Sequence, residues 1–393
     1  MNDAANKALL PAGLRDVLPP DADHEAAVAQ RLVATFAARG YQRVDPPLVE
    51  FEDSLLDGAG QAMATATFRL MDPVSQRMMG VRADMTIQVA RIAATRLAGA
   101  PRPLRLAYAG NVLRVKGSQL RPERQLIQAG VEIVGSEAAC ADAEIILLAV
   151  EALGEAGVTN LSVDINMPTL VPALCRAVGL HGDAETELRA ALDRKDAAAV
   201  AAAGGKAADL FGALLRASGP VDDALAALTA IDLPEECAAE CQRLDAVVAI
   251  LKEAMPALTL TVDAVEYRGF EYQTGLSFTV FARGVRGEMG RGGRYHVSQN
   301  GEPATGFSLF LDSVLRALPS PGNGKRLYLP HGTGPSRGGA LRQEGWITIA
   351  GLEPGRPCRR GAPAGLHAHP AGRQGRRAGW RRFLKINARS LNS

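Results

Sequence analysis

The stretch that most constrains the fold is residues 104–135, which has the pattern of a long β-hairpin. Apolar and polar residues alternate over residues 104–112 and again over residues 125–134, as they do in strands with two unlike faces. A polar loop that contains glycine, serine and proline separates the two runs. The sequence therefore predicts two adjacent antiparallel strands, around which the other informative segments must pack.

Polar residues share one face of the returning strand. Because side chains alternate between the faces of a strand, Gln128, Gly130 and Glu132 lie on the same face, and Arg114 ends the outgoing strand. An Arg, a Gln and a Glu on adjacent strands can bind a small zwitterion: the guanidinium would hold a carboxylate, the Glu an ammonium group and the Gln a polar side group. The alternative is a sheet face that is polar because it meets solvent. This stretch alone does not decide between them.

The composition is that of a globular protein, with 47% hydrophobic and 22% charged residues among 393. This length is enough for two or three domains with a substantial core. Ten of the 44 basic residues follow Glu353, where no acidic residue occurs, so residues 1–353 carry 34 basic and 42 acidic residues, a balance of −8. This acidic balance weighs against a large nucleic-acid-binding surface.

The sequence shows neither a targeting segment nor a membrane span, and we expect a cytoplasmic protein. The N-terminal residues lack a charged region followed by an apolar run, and no apolar run approaches the ~18 residues that a spanning helix needs. The five cysteines are odd in number and scattered, which suits reduced thiols better than a disulfide framework. Cys237 and Cys241 lie four residues apart without further ligands at metal spacing, so we expect ordinary thiols and no metal site.

Before the long hairpin, the pattern predicts a helix, an edge segment and a second hairpin. Asp21 or Asp23 is expected to cap a helix that ends at Gly40. Residues 41–50 contain two adjacent prolines, which forbid a central strand, so they are predicted to be an extended edge or interface segment. The second hairpin is predicted within residues 68–81.

Asp84 follows the second hairpin, where a strand passes into a helix predicted over residues 87–97. A carboxylate at such a position is either the N-terminal cap of the helix or a ligand group. The local sequence favours the cap.

After the long hairpin, strands are predicted at residues 160–166, 258–265 and 276–282, and a helix at residues 138–156. Residues 168–254 are rich in Ala and Leu with a helical period, and Gly and Pro interrupt them. This pattern predicts five or six short helices in a separate layer.

Glycine is prominent in the segment Gly290-Arg-Gly-Gly-Arg-Tyr295. It lacks the P-loop and dinucleotide-binding spacings, so we predict only a tight turn there. Residues 305–318 are predicted to form a strand followed by an amphipathic helix, and residues 326–350 two short strands around a short helix.

Residues 354–393 differ in kind, because they combine ten basic residues and no acidic residue with abundant Gly, Pro and Ala. They fit a nucleic-acid-binding arm or a disordered end. Our own hypothesis is a third, that they come from GC-rich DNA translated outside its proper frame; one uninterrupted frame in the resequenced locus would contradict it.

The predicted parts of the chain are residues 1–166 and 256–320 for one core, 167–255 for a helical insertion, 321–353 for a short α/β segment, and 354–393 for an irregular tail.

Several segments in order resemble the class II aminoacyl-tRNA synthetases and, among them, histidyl-tRNA synthetase and its non-catalytic relatives, the regulatory subunits of ATP phosphoribosyltransferase. Several independent motifs make a more specific signal than any one alone. The segments are residues 11–16, 82–86, 113–116, 124–135, 268–275, 292–295 and 305–318. The resemblance implies an α+β fold: an antiparallel sheet flanked by helices, with an all-helical insertion and a dimer built partly around residues 40–50.

The resemblance also implies a histidine site. The residues at its positions are Asp84, Arg114, Gln128, Glu132, Arg268, Tyr272 and Gln273. The synthetase has a glutamate at the position of Asp84 and a tyrosine at that of Gln273. The amino-acid side of the pocket is therefore largely retained.

The nucleotide side departs from the synthetase pattern. The third motif of a working enzyme reads Gly-Leu-Glu-Arg, whereas this chain has Phe310-Leu-Asp-Ser313, so a serine replaces the arginine that holds the ATP triphosphate. The second-motif loop reads Arg114-Val-Lys-Gly117 instead of Arg-His-Glu-Arg. Removing one such clamp costs roughly 3–4 kcal/mol of transition-state stabilisation. This chain lacks three such groups: the arginine of the third motif, and the acid and the second arginine of the second-motif loop. We therefore expect no adenylation.

The resemblance thus implies a regulatory subunit without catalytic residues, cofactor or metal of its own. It would form a homodimer within a hetero-oligomer and activate a short-form catalytic subunit of ATP phosphoribosyltransferase in the first step of histidine biosynthesis. Histidine would be the feedback effector, and neither tRNA nor a membrane is expected as a partner.

Two alternatives to this function remain. An active histidyl-tRNA synthetase is opposed by Ser313, by Phe310 and by a segment after Leu318 that is too short for an anticodon-binding domain. A synthetase-derived sensor of uncharged tRNA has only the basic tail in its support.

Overall fold

The computed structural model describes residues 9–56, 60, 63–117, 122–266, 273–297, 301–321 and 325–354, and the backbone of residues 366–368. The chain divides into two compact units, Met1–Pro319 and Ser320–Ser393. The proposed division of residues 1–320 into two core parts and an insertion stays a prediction.

The described strands of the first unit form one large sheet and one small sheet. In chain order they are β1 (Gln42–Arg43), β2 (Val49–Phe51), β3 (Phe68–Met71), β4 (Met78–Val81), β5 (Leu104–Leu113), β6 (Gln125–Val134), β7 (Leu161–Asn166), β8 (Ser218–Pro220), β9 (Thr259–Asp263), β10 (Ser277–Ala282), β11 (Gly290–His296) and β12 (Pro303–Phe310). Nine described strands make the large sheet, in the order β1-β5-β6-β12-β11-β10-β7-β9-β8, and the small sheet has the order β2-β4-β3. Strands β1 and β5 are parallel, as are β7 and β9, and the other pairs are antiparallel. Both predicted hairpins are confirmed.

Helices cover the large sheet. In chain order they are α1 (Asp21–Ala38), α2 (Glu52–Leu55), α3 (Thr86–Ala94), α4 (Ala139–Ala156), α5 (Leu170–Ala177), α6 (Asp183–Asp193), α7 (Ala197–Ala203), α8 (Ala208–Arg216), α9 (Val221–Thr229), α10 (Glu235–Ala254) and α11 (Leu311–Ala317). Helices α1 and α4 contribute to the hydrophobic cluster on one face, and α3 to a second cluster that contains Tyr108 and Phe310. The predicted α+β class, a sheet flanked by helices, is confirmed.

Helix α1 shows why the chain packs on the sheet where it does. Val28, Leu32 and Phe36 recur every four residues, so they line one side of the helix, and all three are buried. Phe36 meets the ring of Phe307 edge-on at 5.6 Å between centroids. The prediction that Asp21 or Asp23 caps α1 is wrong. The helix begins at Asp21 without a side-chain cap, and both carboxylates lie in its first turn. There their negative charge interacts favourably with the positive end of the helix dipole.

The prediction of a mere tight turn at residues 290–295 is also wrong, because these residues form the central strand β11. The glycines explain the difference, since they let the neighbouring backbone approach. A Cβ on Gly292 would lie 2.2 Å from the carbonyl oxygen of Gly306, and one on Gly290 would lie 2.5 Å from that of Ser308. Glycines that serve close strand packing were mistaken for turn residues.

The helical segment agrees with its prediction in number but carries one unpredicted strand. Six described α-helices, α5 to α10, lie between residues 170 and 254. Between α8 and α9, strand β8 pairs with the edge strand β9 of the large sheet. Buried side chains of the segment, such as Leu188, Phe211 and Leu244, belong to the same hydrophobic cluster as the sheet.

The second unit is a small parallel sheet with one described helix. Strand β13 (Arg326–Leu329) lies between β14 (Ile347–Ala350) and β15 (Leu366–Ala368), and α12 spans Pro335–Gln343. Strand β15 lies within the tail predicted to be irregular; apart from this strand and Pro354, that tail lies outside the described residues. Across the described part of the chain, no helix combines the length and apolar character needed to cross a membrane.

Candidate functional site

The predicted polar face of the long hairpin is buried and forms a hydrogen-bond network. The side chain of Gln128 donates from Nε2 to Asp84 Oδ2 at 3.1 Å and to Ser308 Oγ at 2.5 Å. Its Oε1 accepts from the backbone N–H of Met85 at 3.0 Å. Gln128 is fully buried, so the polar face does not meet solvent and the alternative of a solvated sheet is excluded.

Glu132 lies four residues further along β6 and is also fully buried. Tyr295 donates its hydroxyl to Oε2 at 3.0 Å, and Tyr108 donates to Oε1 at 3.3 Å. The hydroxyl of Tyr108 lies 2.9 Å from Ser308 Oγ, which also accepts from Gln128. The two polar residues of β6 are therefore parts of one network.

The electrostatics of this network favour a cationic or hydrogen-bond-donating ligand. Burial raises the pKa of Glu132 to about 8; the hydrogen bond from Tyr295 lowers it, and the nearby charge of Asp84 raises it. Glu132 is fully buried, and Asp84 nearby is half-buried. A positive group beside Glu132 would stabilise its ionised form.

Asp84 does not fill the N-cap position of α3, which is Met85 and has no side-chain cap bond, and its role as a ligand group stays a prediction. Its Oδ1 accepts from the backbone N–H of Thr86, the first residue of α3, at 2.8 Å. Its Oδ2 accepts from Gln128. One oxygen thus serves the start of the helix while the other belongs to the network.

Arg114 brings positive charge to the same end of the hairpin. It follows β5 directly, is half-buried, and its guanidinium lies 5.7 Å from the centre of the Phe310 ring. Burial lowers the pKa of Arg114, and the negative charge of Asp84 raises it. The arginine is therefore placed to hold a carboxylate near these two acids.

Two glycines make room for the network. A Cβ on Gly306 would lie 1.8 Å from Glu132 Oε2, and one on Gly130 would lie 2.5 Å from the Tyr108 hydroxyl. Real Cβ contacts of this length do not occur, so each position needs glycine.

The remaining predicted positions lie near the gap in the described chain. Gln273 is buried, and its Oε1 lies 2.8 Å from the position of a Cβ on Gly293, beside β10. Arg268 and Tyr272 lie outside the described residues.

Sequence reasoning missed the partners of Glu132 and Gln128. Tyr108, Tyr295 and Ser308 were not predicted as site residues. The pairing of strands brings them together: Tyr108 faces Gly130, and Ser308 faces Gly130 from the other side. Even-numbered spacing marked which residues of one strand share a face, but the order of strands in the sheet was needed to find their neighbours.

The nucleotide side carries the predicted substitutions. Ser313 is fully buried in α11, where its Oγ accepts from Arg316 Nη2 at 2.8 Å. Arg316 also pairs with Asp312 at 3.2 Å. Phe310 is buried in the cluster on this face. The described residues include no group of three or more His, Cys, Asp or Glu side chains arranged to hold a metal ion.

The chain is similar to known proteins over most of its length. The model of the histidyl-tRNA synthetase family matches residues 13–314. The ATP phosphoribosyltransferase regulatory subunit of Paramagnetospirillum magneticum is 60% identical over 354 residues, which are 90% of this chain and 93% of that protein. The protein of the same name from Rhodospirillum rubrum is 53% identical over 88% of this chain and 91% of its own length.

Solved structures show the same fold. An ATP phosphoribosyltransferase regulatory subunit/histidyl-tRNA synthetase from Bacillus halodurans has a TM-score of 0.74 at 24% identity, covering 87% of this chain and 92% of its own. Histidyl-tRNA synthetase from Nostoc has a TM-score of 0.70 at 18% identity, covering 88% and 86%. The chain therefore belongs to the family of ATP phosphoribosyltransferase regulatory subunits, which is built on the fold of histidyl-tRNA synthetase.

Proposed function

We propose that this chain is the non-catalytic regulatory subunit of an ATP phosphoribosyltransferase and acts in the first step of histidine biosynthesis. The observation that carries the proposal is the 60% identity with a regulatory subunit of that name over 90% of this chain. The relative is matched over 93% of its length, so the similarity is not that of a shared fragment.

The nucleotide side supports the absence of adenylation chemistry. A synthetase needs a guanidinium where charge develops on the triphosphate, and this chain has the buried hydroxyl of Ser313 at that position. The nearby Arg316 is already paired with Asp312 and bonded to Ser313. The aromatic ring of Phe310 fills the place of the glycine beneath the nucleotide and is 1% exposed.

The amino-acid side supports histidine as the effector. A free amino acid carries one ammonium and one carboxylate group, and the site offers the buried Glu132 and the half-buried Asp84 near the guanidinium of Arg114. The amide of Gln128 donates to both Asp84 and Ser308, and so links the two acids through one network. Arg268, Tyr272 and Gln273 complete the proposed set.

Regulation requires a partner and two states. We propose that the chain forms a homodimer within a hetero-oligomer and activates a short-form catalytic subunit. Histidine can act as a feedback inhibitor only if it binds two states of the complex with different affinity, because equal affinity shifts no equilibrium. We place this complex in the cytoplasm, a reducing compartment, since the four described cysteines are free thiols.

The first experiment is calorimetric titration of the purified full-length chain with histidine, with an ATP–pyrophosphate exchange assay on the same sample. We expect binding without exchange, followed by activation and histidine inhibition when the short-form catalytic subunit is added. Exchange activity would contradict the proposal and return the chain to the synthetases. Failure to change the activity of the catalytic subunit would contradict the regulatory role.

Two arginine variants separate the site from the assembly. Arg114→Ala should abolish feedback by histidine while the complex still assembles, because the ligand carboxylate loses its cation. Arg39→Ala is the control, since Arg39 is an exposed arginine paired with Glu151 on the surface. Full inhibition retained in Arg114→Ala would contradict the placement of the site.

A further inference from the structure

An open groove lies between the segment before α1 and the end of the long hairpin, with a volume of about 760 Å³. Residues 12–15 line it on one side, and residues 115–117 and 122–124 line it on the other. We call it the basic groove, because its charged lining residues are Arg15, Lys116 and Arg124 against one acid, Glu123.

Hydrogen bonds hold the two walls of the basic groove together. The backbone N–H of Arg124 donates to the carbonyl oxygen of Gly13 at 2.8 Å, and its Nη1 donates to that of Ala12 at 3.1 Å. Gly13 has a φ of +80°, and a Cβ there would lie 2.7 Å from Arg124 Cδ, so the close approach of the first wall needs glycine. The groove is therefore formed before a partner binds, which lowers the ordering cost of binding.

The charge of the basic groove differs from that of the chain as a whole. Three basic residues and one acidic residue line the groove, whereas residues 1–353 carry 34 basic and 42 acidic residues. Arg15 and Lys116 are exposed. A local excess of positive charge favours a partner surface that carries carboxylates.

Exposed apolar side chains lie close to the basic groove in the chain. Leu9 and Leu10, just before it, are 74% and 49% exposed, and Leu18, shortly after it, is 66% exposed. The half-buried side chains of Leu14 and Val115 line the groove itself. Exposed apolar residues bordered by charge are typical of protein–protein contacts, whereas a phosphate backbone is bound by cations. The apolar residues therefore favour a protein over a nucleic acid as the partner.

The basic groove shares its hairpin wall with the candidate ligand site. The backbone N–H of Arg114 donates to the carbonyl oxygen of Arg124 at 2.8 Å, and Nε of Arg124 donates to the carbonyl oxygen of Arg114 at 3.2 Å. Arg114 is the residue proposed to hold the ligand carboxylate. A partner in the groove and a ligand on Arg114 thus contact the same pair of residues.

We propose that the catalytic subunit docks in the basic groove through a surface segment that carries carboxylates beside an apolar side chain. The carboxylates pair with Arg15 and Lys116, and the apolar side chain contacts Leu14 and Val115. Histidine on Arg114 changes the affinity of this contact, and docking changes the affinity for histidine by the same factor. This inference rests on the proposed function, because it takes the catalytic subunit as the partner.

The test is a double charge reversal, Arg15→Glu with Lys116→Glu, in the full-length chain mixed with the short-form catalytic subunit. Lys206→Glu with Arg283→Glu is the control, because both residues are exposed outside the groove and the net charge changes equally. In analytical ultracentrifugation at about 0.1 M salt, the groove variant should raise the dissociation constant of the complex at least about 10-fold. The control should change it less than about twofold. Added salt should weaken the wild-type complex more steeply than that of the groove variant.

Titration of the free groove variant with histidine separates docking from damage to the ligand site. Both substituted side chains are exposed, so the variant should bind histidine within about threefold of the wild type. Loss of histidine binding together with loss of assembly would mean a damaged site and would overturn the inference.

The remaining outcomes separate this inference from the proposed function. Equal dissociation constants for the groove variant and the control would overturn the docking surface and leave the proposed function intact. If the wild type neither binds nor activates the catalytic subunit, the proposed function fails and this inference fails with it. If the groove variant loses a gel shift of tRNA shown by the wild type while its complex is unchanged, the groove is a nucleic-acid site and the inference is wrong.

Discussion

Replacement of Glu132 by glutamine should remove a pH dependence of folding stability that the buried carboxyl imposes. The pKa of Glu132 is raised from 4.5 to about 8 in the folded chain, chiefly by burial. Between these two pH values the folded state keeps a proton that the unfolded state has released. Stability therefore falls as the pH rises through this window and levels off above about pH 8.

The expected magnitude follows from the size of the shift. Each pH unit within the window changes the free energy of unfolding by roughly 1.4 kcal/mol. Between pH 6 and pH 8 the wild type should lose about 2 kcal/mol through this one group, because the carboxyl is only half ionised at the upper limit. Glutamine has the same shape and no charge, and its oxygen can still accept from the hydroxyl of Tyr295, so the variant should lose none of it.

The assay is urea unfolding of both proteins at pH 6, 7 and 8 without histidine. The difference in free energy of unfolding, variant minus wild type, should grow steadily with pH. Glu302→Gln is the control, because the pKa of Glu302 is lowered by its hydrogen bond with Arg102 and that carboxyl is ionised throughout the range. Parallel pH profiles for Glu132→Gln and the wild type would refute the reasoning.

Two further predictions concern packing and a buried ion pair. Gly306→Ala places a methyl group 1.8 Å from a carboxylate oxygen and 2.4 Å from a backbone carbonyl oxygen, so it should lower the free energy of unfolding by about 1–3 kcal/mol or more. Gly154→Ala, in an exposed helical position with no neighbour within 4 Å, should be neutral or stabilising by up to about 1 kcal/mol; equal urea midpoints for the two variants would count against the clash. Asp142→Asn leaves the guanidinium of Arg294 without its buried partner, at 2.8 Å, and should lower the free energy of unfolding by about 3–5 kcal/mol. Asp222→Asn, on an exposed pair, should change it by less than about 1 kcal/mol in the same experiment, and similar losses in both would contradict the role of burial.

Local pattern was sufficient for most of the elements. The alternation of residues 104–112 and 125–134 predicted β5 and β6, and helical periodicity predicted five or six helices where six described α-helices follow β7. These signals come from residues close in the chain, and period alone distinguishes a strand from a helix. The same reasoning failed at β11. Glycine is required at Gly290 and Gly292 because the backbone of another strand lies very close, and that strand is distant in sequence.

Gln128 and Glu132 were candidate ligand residues because they share one face of a predicted strand, whereas the local sequence favoured a cap at Asp84 and only the family resemblance made it a ligand. What the sequence determined by itself is most of the elements and the shared face of β6; the loss of the arginine at Ser313 follows from the same resemblance. Only the tertiary structure decided that this face is buried and that Tyr108, Ser308 and Tyr295 complete it. The physical reason is that burial and pairing depend on strand order across the sheet, and β6 pairs with β12 only after the chain has run from Val134 to Pro303.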